Sequence, residues 1–145
     1  MKDSKNNIGI VHLLDAQDLA HADTKSKVLD TASCRGAMIS VNLGTFTGVD
    51  SSNYLVPTLQ ESDTTADTDF GSVASTDIIG AFTKVDSSSK DQVTQYVGYK
   101  GFKRYIRVLL DYTGTGITAS LVSVDGILAF PSSSPITVPD PITAT

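Results

Sequence analysis

Apolar and polar positions alternate with a period of two along most of this chain. Ala37, Ile39, Val41 and Leu43 share one face of a run whose other face carries Met38, Ser40 and Asn42. Such a run reads as a half-buried strand. The longest alternation covers 102–112: Ile106, Val108 and Leu110 point one way, and Lys103, Tyr105, Arg107 and Asp111 the other. Further strands are predicted at 8–14, 28–29, 54–60, 81–85, 93–99 and 117–130. In 117–130, Val122 and Val124 fall out of phase with Ile117, Ala119 and Leu121, which predicts a bulge or burial on both faces. Pro57 cannot donate to a ladder, so its strand is expected at an edge or a bulge. A short helical turn is predicted around 16–20, and a helical turn or strand start at 77–80. Gly98-Tyr99-Lys100-Gly101 predicts a tight connection.

Between these runs lie Gly, Ser, Thr, Asp and Asn, the residues of turns. Seven or eight short, turn-separated strands without strand–helix–strand alternation indicate an all-β sandwich or barrel. The pattern changes at 131–145, where Pro131, Pro135, Pro139 and Pro141 favour an extended segment. The expected organisation is one β domain over 1–130 and a Pro/Ser-rich arm over 131–145.

Composition sharpens the picture. Fifteen of the sixteen acidic residues are aspartates, Glu61 being the one glutamate, and there are 17 serines and 17 threonines. Asp and Ser favour caps and turns over helix interiors, which argues against a helical bundle. A net charge of −5 disfavours general nucleic-acid binding. Cys34 is the one cysteine, so no internal disulfide is possible. No signal peptide, membrane span or lipidation motif is read.

Little of this sequence suggests catalysis. His12, His21 and Cys34 lack metal-ligand spacing, and His12 reads as a strand residue. The acidic 61–69 stretch lacks the glycine and distal glutamate of a calcium loop and reads as a solvated turn. No nucleophile elbow and no phosphate loop is present. No cofactor, metal or catalytic residue is expected, and the chain is not expected to be an enzyme. One basic cluster stands out: Lys100, Lys103, Arg104 and Arg107, interleaved with Tyr99, Phe102 and Tyr105. It reads equally well as an interface or as an outward strand face balanced by the chain's own aspartates. On strand phase, Arg104 would fall on the apolar side.

Three segments carry a family resemblance: Leu59-Gln-Glu-Ser-Asp63, Phe70-Gly-Ser-Val73, and Tyr96-Val-Gly-Tyr-Lys-Gly-Phe-Lys-Arg-Tyr-Ile-Arg-Val108. Together they resemble a group of small virion proteins of tailed bacteriophages, over roughly residues 54 to 110. The resemblance implies a jelly-roll-like antiparallel β-sandwich of the capsid decoration or cement type. Such a protein would bind the major capsid protein on the capsid exterior, act as a homodimer or homotrimer, and contact neither nucleic acid nor membrane directly. Lys100, Lys103, Tyr105, Arg107, Pro135 and Pro139 are the expected interface residues, with the proline-rich arm reaching neighbouring subunits. The alternatives are a head-spike, neck or tail component, or a carbohydrate-binding β-sandwich.

Overall fold

A computed structural model describes residues 3–145. It is an all-β sandwich of two antiparallel sheets. Sheet A orders its strands β1 (Ile8–Asp18), β10 (Ala119–Pro131), β4 (Cys34–Thr47), β8 (Thr94–Tyr99) and β7 (Ile78–Ile79). Sheet B orders β2 (Thr24–Lys25), β9 (Tyr105–Thr113), β5 (Tyr54–Ser62) and β6 (Gly71–Ser72), with β3 (Leu29–Asp30) also paired to β9. The chain therefore passes repeatedly from one layer to the other between strands.

The inward set matches the alternation. Ile39, Val41 and Leu43 of β4 face Ile106, Val108 and Leu110 of β9 across a core completed by Val11, Leu13, Leu55, Leu59, Val97, Val124 and Leu128. Gly126 sits where a Cβ would lie 2.7 Å from Leu29, so the two layers meet there without a side chain between them. The register of β10 against β4 shifts between Ser120 and Val122, where Gly44 and Thr45 of β4 oppose Leu121 alone; β10 itself alternates unbroken from Ser120 to Leu128, so the phase break in the sequence marks Ala119 and Leu121 as outer-face residues. Pro57 pairs with Leu110, and β6 accompanies β5 only at Gln60 and Glu61. The Leu55 amide bonds away from β9, to Val85, so Pro57, two residues on, directs its missing donor to the same open side.

Two local expectations change and a third, at 77–80, holds. The 16–20 helical turn is absent: β1 runs to Asp18 through register shifts after His12 and Leu14, and the Asp18 carboxylate then caps the Ala20 and Ser120 amides. The 81–85 strand reduces to one bridge, Val85 with Leu55. At 77–80 a 3-10 turn (Ser75–Asp77) leads directly into β7.

The 131–145 segment is extended, as proline density dictates, but it is docked on its own domain. Ile136 donates to the Asn6 carbonyl and packs against the core, Ile142 pairs with Val28, and Thr145 exchanges backbone bonds with Thr65 and Asp67. The arm expected to reach neighbouring subunits instead straps the sandwich, because its alternate residues find apolar and backbone partners along one open side.

Candidate functional site

The predicted basic cluster divides on folding. Arg107 does point outward from sheet B, yet its side chain is only 2% exposed. The 63–70 loop folds over it. Its guanidinium donates to Gln60 Oε1 at 2.9 Å and to the Asp67 carboxylate, and it stacks on Phe70 at 4.0 Å. Lys25 reaches the same carboxylate at 2.6 Å. Lys25 first, then Arg107, hold Asp67 below the usual carboxylate range. Arg107 is therefore a structural clamp and not an interface residue: a loop that strand periodicity cannot anticipate roofs it.

Arg104 also departs from expectation. It precedes β9 and lies exposed, forking onto Asp30 at 2.9 and 2.7 Å. Tyr105 is half-buried beneath that guanidinium. Lys103 approaches Asp63 only at 4.0 Å, and Lys100 is exposed. Pro135 is exposed on the strap, while Pro139 is half-buried beside Asp30 and Arg104.

Glu61 has a role that composition did not reveal. Its carboxylate accepts the Tyr99 hydroxyl at 2.6 Å, joining β5 of sheet B to β8 of sheet A. The same hydroxyl accepts the Lys103 amide at 2.9 Å and anchors the β8–β9 turn. Burial first, then Glu61, pushes the Tyr99 ionisation well up. Gly101 is required there by space: a Cβ would fall 2.5 Å from the Tyr99 hydroxyl.

Asp69 of the 61–69 stretch also has a protein partner, receiving the Thr64 hydroxyl at 2.6 Å, while Asp63 stays exposed. Cys34 is half-buried, and burial raises its thiol. Among the described residues no three His, Cys, Asp or Glu side chains gather as a metal site, and no helix is long and apolar enough to cross a membrane.

The outer face of sheet A is organised differently. Strand registers align Ile10, Ile127, Met38 and Gly98 in one row across β1, β10, β4 and β8. Ile79 of β7 pairs with Gly98 and lies over it, extending the row to the fifth strand. Ile10 is 66% and Ile79 62% exposed. The neighbouring row starts with Ile8, Ala129 and Gly36. On the other side the row is polar. His12 meets Asp125 at 2.6 Å, Asn42 donates to Asp125 at 3.0 Å, and Thr94 donates to Asn42 at 2.9 Å. Asp125 foremost, with Asp15, raises the His12 pKa. Both imidazole nitrogens are engaged by these carboxylates, at 2.6 and 3.1 Å, which suits a structural imidazolium better than a catalytic base. The face is thus divided into an apolar half and a hydrogen-bonded polar half.

At the apolar end the face opens into a cleft of about 450 Å³, lined by Cys34, Arg35, Gly36, Ile79, Lys100 and Phe102 among others. Phe102 stands fully exposed at its rim. Phe130, 72% exposed, lies over Gly36 beside it. No sequence signal located this cleft, because its walls come from β4, β7 and the β8–β9 turn, more than sixty residues apart at the extremes. No protein-family model matches this chain, and no curated protein matches it at a significant level.

Proposed function

We propose that this chain is a non-catalytic contact module of a bacteriophage particle, a decoration protein that binds the outer capsid through the apolar half of sheet A. The single observation carrying this reading is the row Ile10, Ile127, Met38 and Ile79, which crosses a whole sheet, exposed at Ile10 and Ile79 and half-buried at Ile127 and Met38 between them. An apolar band on an exposed face marks a contact surface, and a flat one suits a broad protein partner better than a small ligand. The motif resemblance supplies the setting: a virion protein on the capsid exterior, assembled in the host cytoplasm, contacting major capsid proteins. Many copies, each making a modest contact, would stabilise the shell by avidity. The strap's own bonds favour this face over the 131–145 segment as the capsid contact.

Quantified gel bands of purified virions test the reading. Hundreds of copies per particle are expected. Six or twelve copies would instead place the chain at a neck or tail, and absence from the particle would sink the proposal. In the same assay, Ile10→Lys with Ile79→Lys should abolish decoration while leaving the melting temperature unchanged.

A further inference from the structure

We propose that the cleft between the start of β4 and the β8–β9 turn docks an acidic, extended peptide segment of a partner protein, one bulky apolar side chain seated between flanking carboxylates. The proposal extends the contact-module reading by naming what the apolar face leads into, and it stands on its own geometry.

Charge is the first argument. The chain carries −5 overall, yet Arg35 and Lys100 flank this cleft and form no ion pair among the described residues. Lys103, one residue beyond the wall, meets Asp63 only at 4.0 Å. The nearby carboxylate Asp30 is already engaged by the Arg104 fork. Elsewhere among the described residues, Lys25, Lys84, Lys90, Arg104 and Arg107 are matched with aspartates and Lys5 and Lys27 are not; at the cleft two unmatched cations line one concavity, a local positive field on an acidic molecule.

Shape is the second argument. Phe102 is fully exposed at the rim and Ile79 largely so, while Ala37 lines the cleft. Phe130 holds a left-handed backbone, φ 54°, in which bulky residues are rarely found. It presents its ring over Gly36 at 3.0 Å from the Cβ position. Strain at an exposed aromatic fits a side chain held in place for a contact.

These features discriminate among occupants. A second copy related by two-fold symmetry would set Arg35 and Lys100 against themselves, and like charges facing each other oppose docking. A nucleic acid would need more phosphate partners than two or three cations on an acidic surface can supply, and would leave the apolar rim unused. An acidic segment with one apolar anchor uses both the cations and the rim.

Fluorescence anisotropy on the full chain provides the test. The probe is a labelled heptapeptide with a central phenylalanine and three aspartates on each side; controls carry lysines or serines in place of the aspartates. The acidic peptide should bind about tenfold more tightly than the serine peptide, the gain expected of two partly exposed ion pairs, and the lysine peptide more weakly still. Arg35→Glu with Lys100→Glu should erase that preference, and Phe102→Ala should weaken binding about tenfold. All three residues are exposed, and an unchanged melting curve confirms folding. Amide NMR shifts should concentrate at Gly36, Gly98 and Gly101. Equal affinity for the three peptides would overturn the proposal. So would tighter binding of a labelled oligothymidine that depends on Arg35 and Lys100, or self-association abolished by Phe102→Ala. Particle copy number reports separately: a chain absent from virions that still binds the acidic peptide sinks the decoration reading alone, while a decorating chain indifferent to the peptides sinks this one alone.

Discussion

On sheet B, the outward position Arg107 lies beneath the 63–70 loop, clamped by Asp67, Gln60 and Phe70. On sheet A, the outward positions Ile10 and Ile79 lie bare, at the two ends of a row whose middle residues, Ile127 and Met38, are half-buried. The polar residue is buried and the apolar ones are exposed, the reverse of what composition alone would assign. A buried guanidinium is tolerated because every direction around it offers an acceptor or an aromatic face. The apolar row has no such cover, and on a folded monomer its exposure is a free-energy cost that a partner surface would remove. One face is finished within the chain and the other leaves Ile10 and Ile79 open.

The sharpest way to break this comparison is to open the roof. Arg107→Ala removes a buried side chain and leaves Gln60 and Asp67 short of a partner, so urea unfolding should show a loss of about 3 kcal/mol. A loss under 1 kcal/mol would mean the loop stays closed without its clamp. Acid should loosen the same roof. Asp67 is held below the ordinary carboxylate pKa, so its contribution is intact above about pH 4 and fades only as pH falls through its lowered native value. Limited proteolysis within 63–69 against pH reads this directly.

The next effect lies at the junction of the two sheets. Glu61→Asp shortens the reach to Tyr99 and should cost about 1 kcal/mol, accompanied by a changed near-ultraviolet tyrosine signal. Tyr99 and Tyr112 both have raised native pKa values, Tyr112 to about 12, chiefly through burial. Their stabilising contribution is complete below the unfolded tyrosine value of about 10 and is lost as pH climbs through the native ones. Unfolding midpoints should therefore hold up to about pH 10 and fall beyond it.

Smaller effects belong to the bare face. His12 is raised by Asp125 and Asp15, so its contribution is present below about pH 6.5 and disappears as pH rises through its raised native pKa. His12→Gln should flatten that slight dependence and change nothing else in a thermal melt. Ile10→Ser should move stability by under about 0.5 kcal/mol, because it loses little on folding. A large loss there would show that the row is already covered within the chain, and the contrast between the two faces would collapse.

Particular residues show how far the sequence could be read. Alternation in 37–43 and 106–110 was sufficient to assign core faces, since burial in a sandwich acts on every second residue. The phase break near Val122 reflected the outward Ala119 and Leu121, while the bulge itself sits opposite, at Gly44 and Thr45 of β4. Pro57 announced an open edge. Arg107 was assigned to its proper face and to the wrong environment, because periodicity reports direction and not what lies above. The cleft was illegible: Arg35, Ile79 and Lys100 belong to separate segments, and only strand pairing brings them together.

By itself, the sequence determined the fold class, the turn-rich character, the extended conformation of 131–145 and the inward residues of the long strands. Those follow from backbone preference and a two-residue period, which are local. Strand order, the roof over Arg107, the Glu61–Tyr99 tie and the docking of the strap were decided only by tertiary structure. Each depends on which distant segments become neighbours, and a pairwise contact between residues forty or a hundred positions apart leaves no periodic trace in either segment. The same holds for the face now proposed to bind. Its isoleucines were visible as strand residues, and only registry across five strands made them a row.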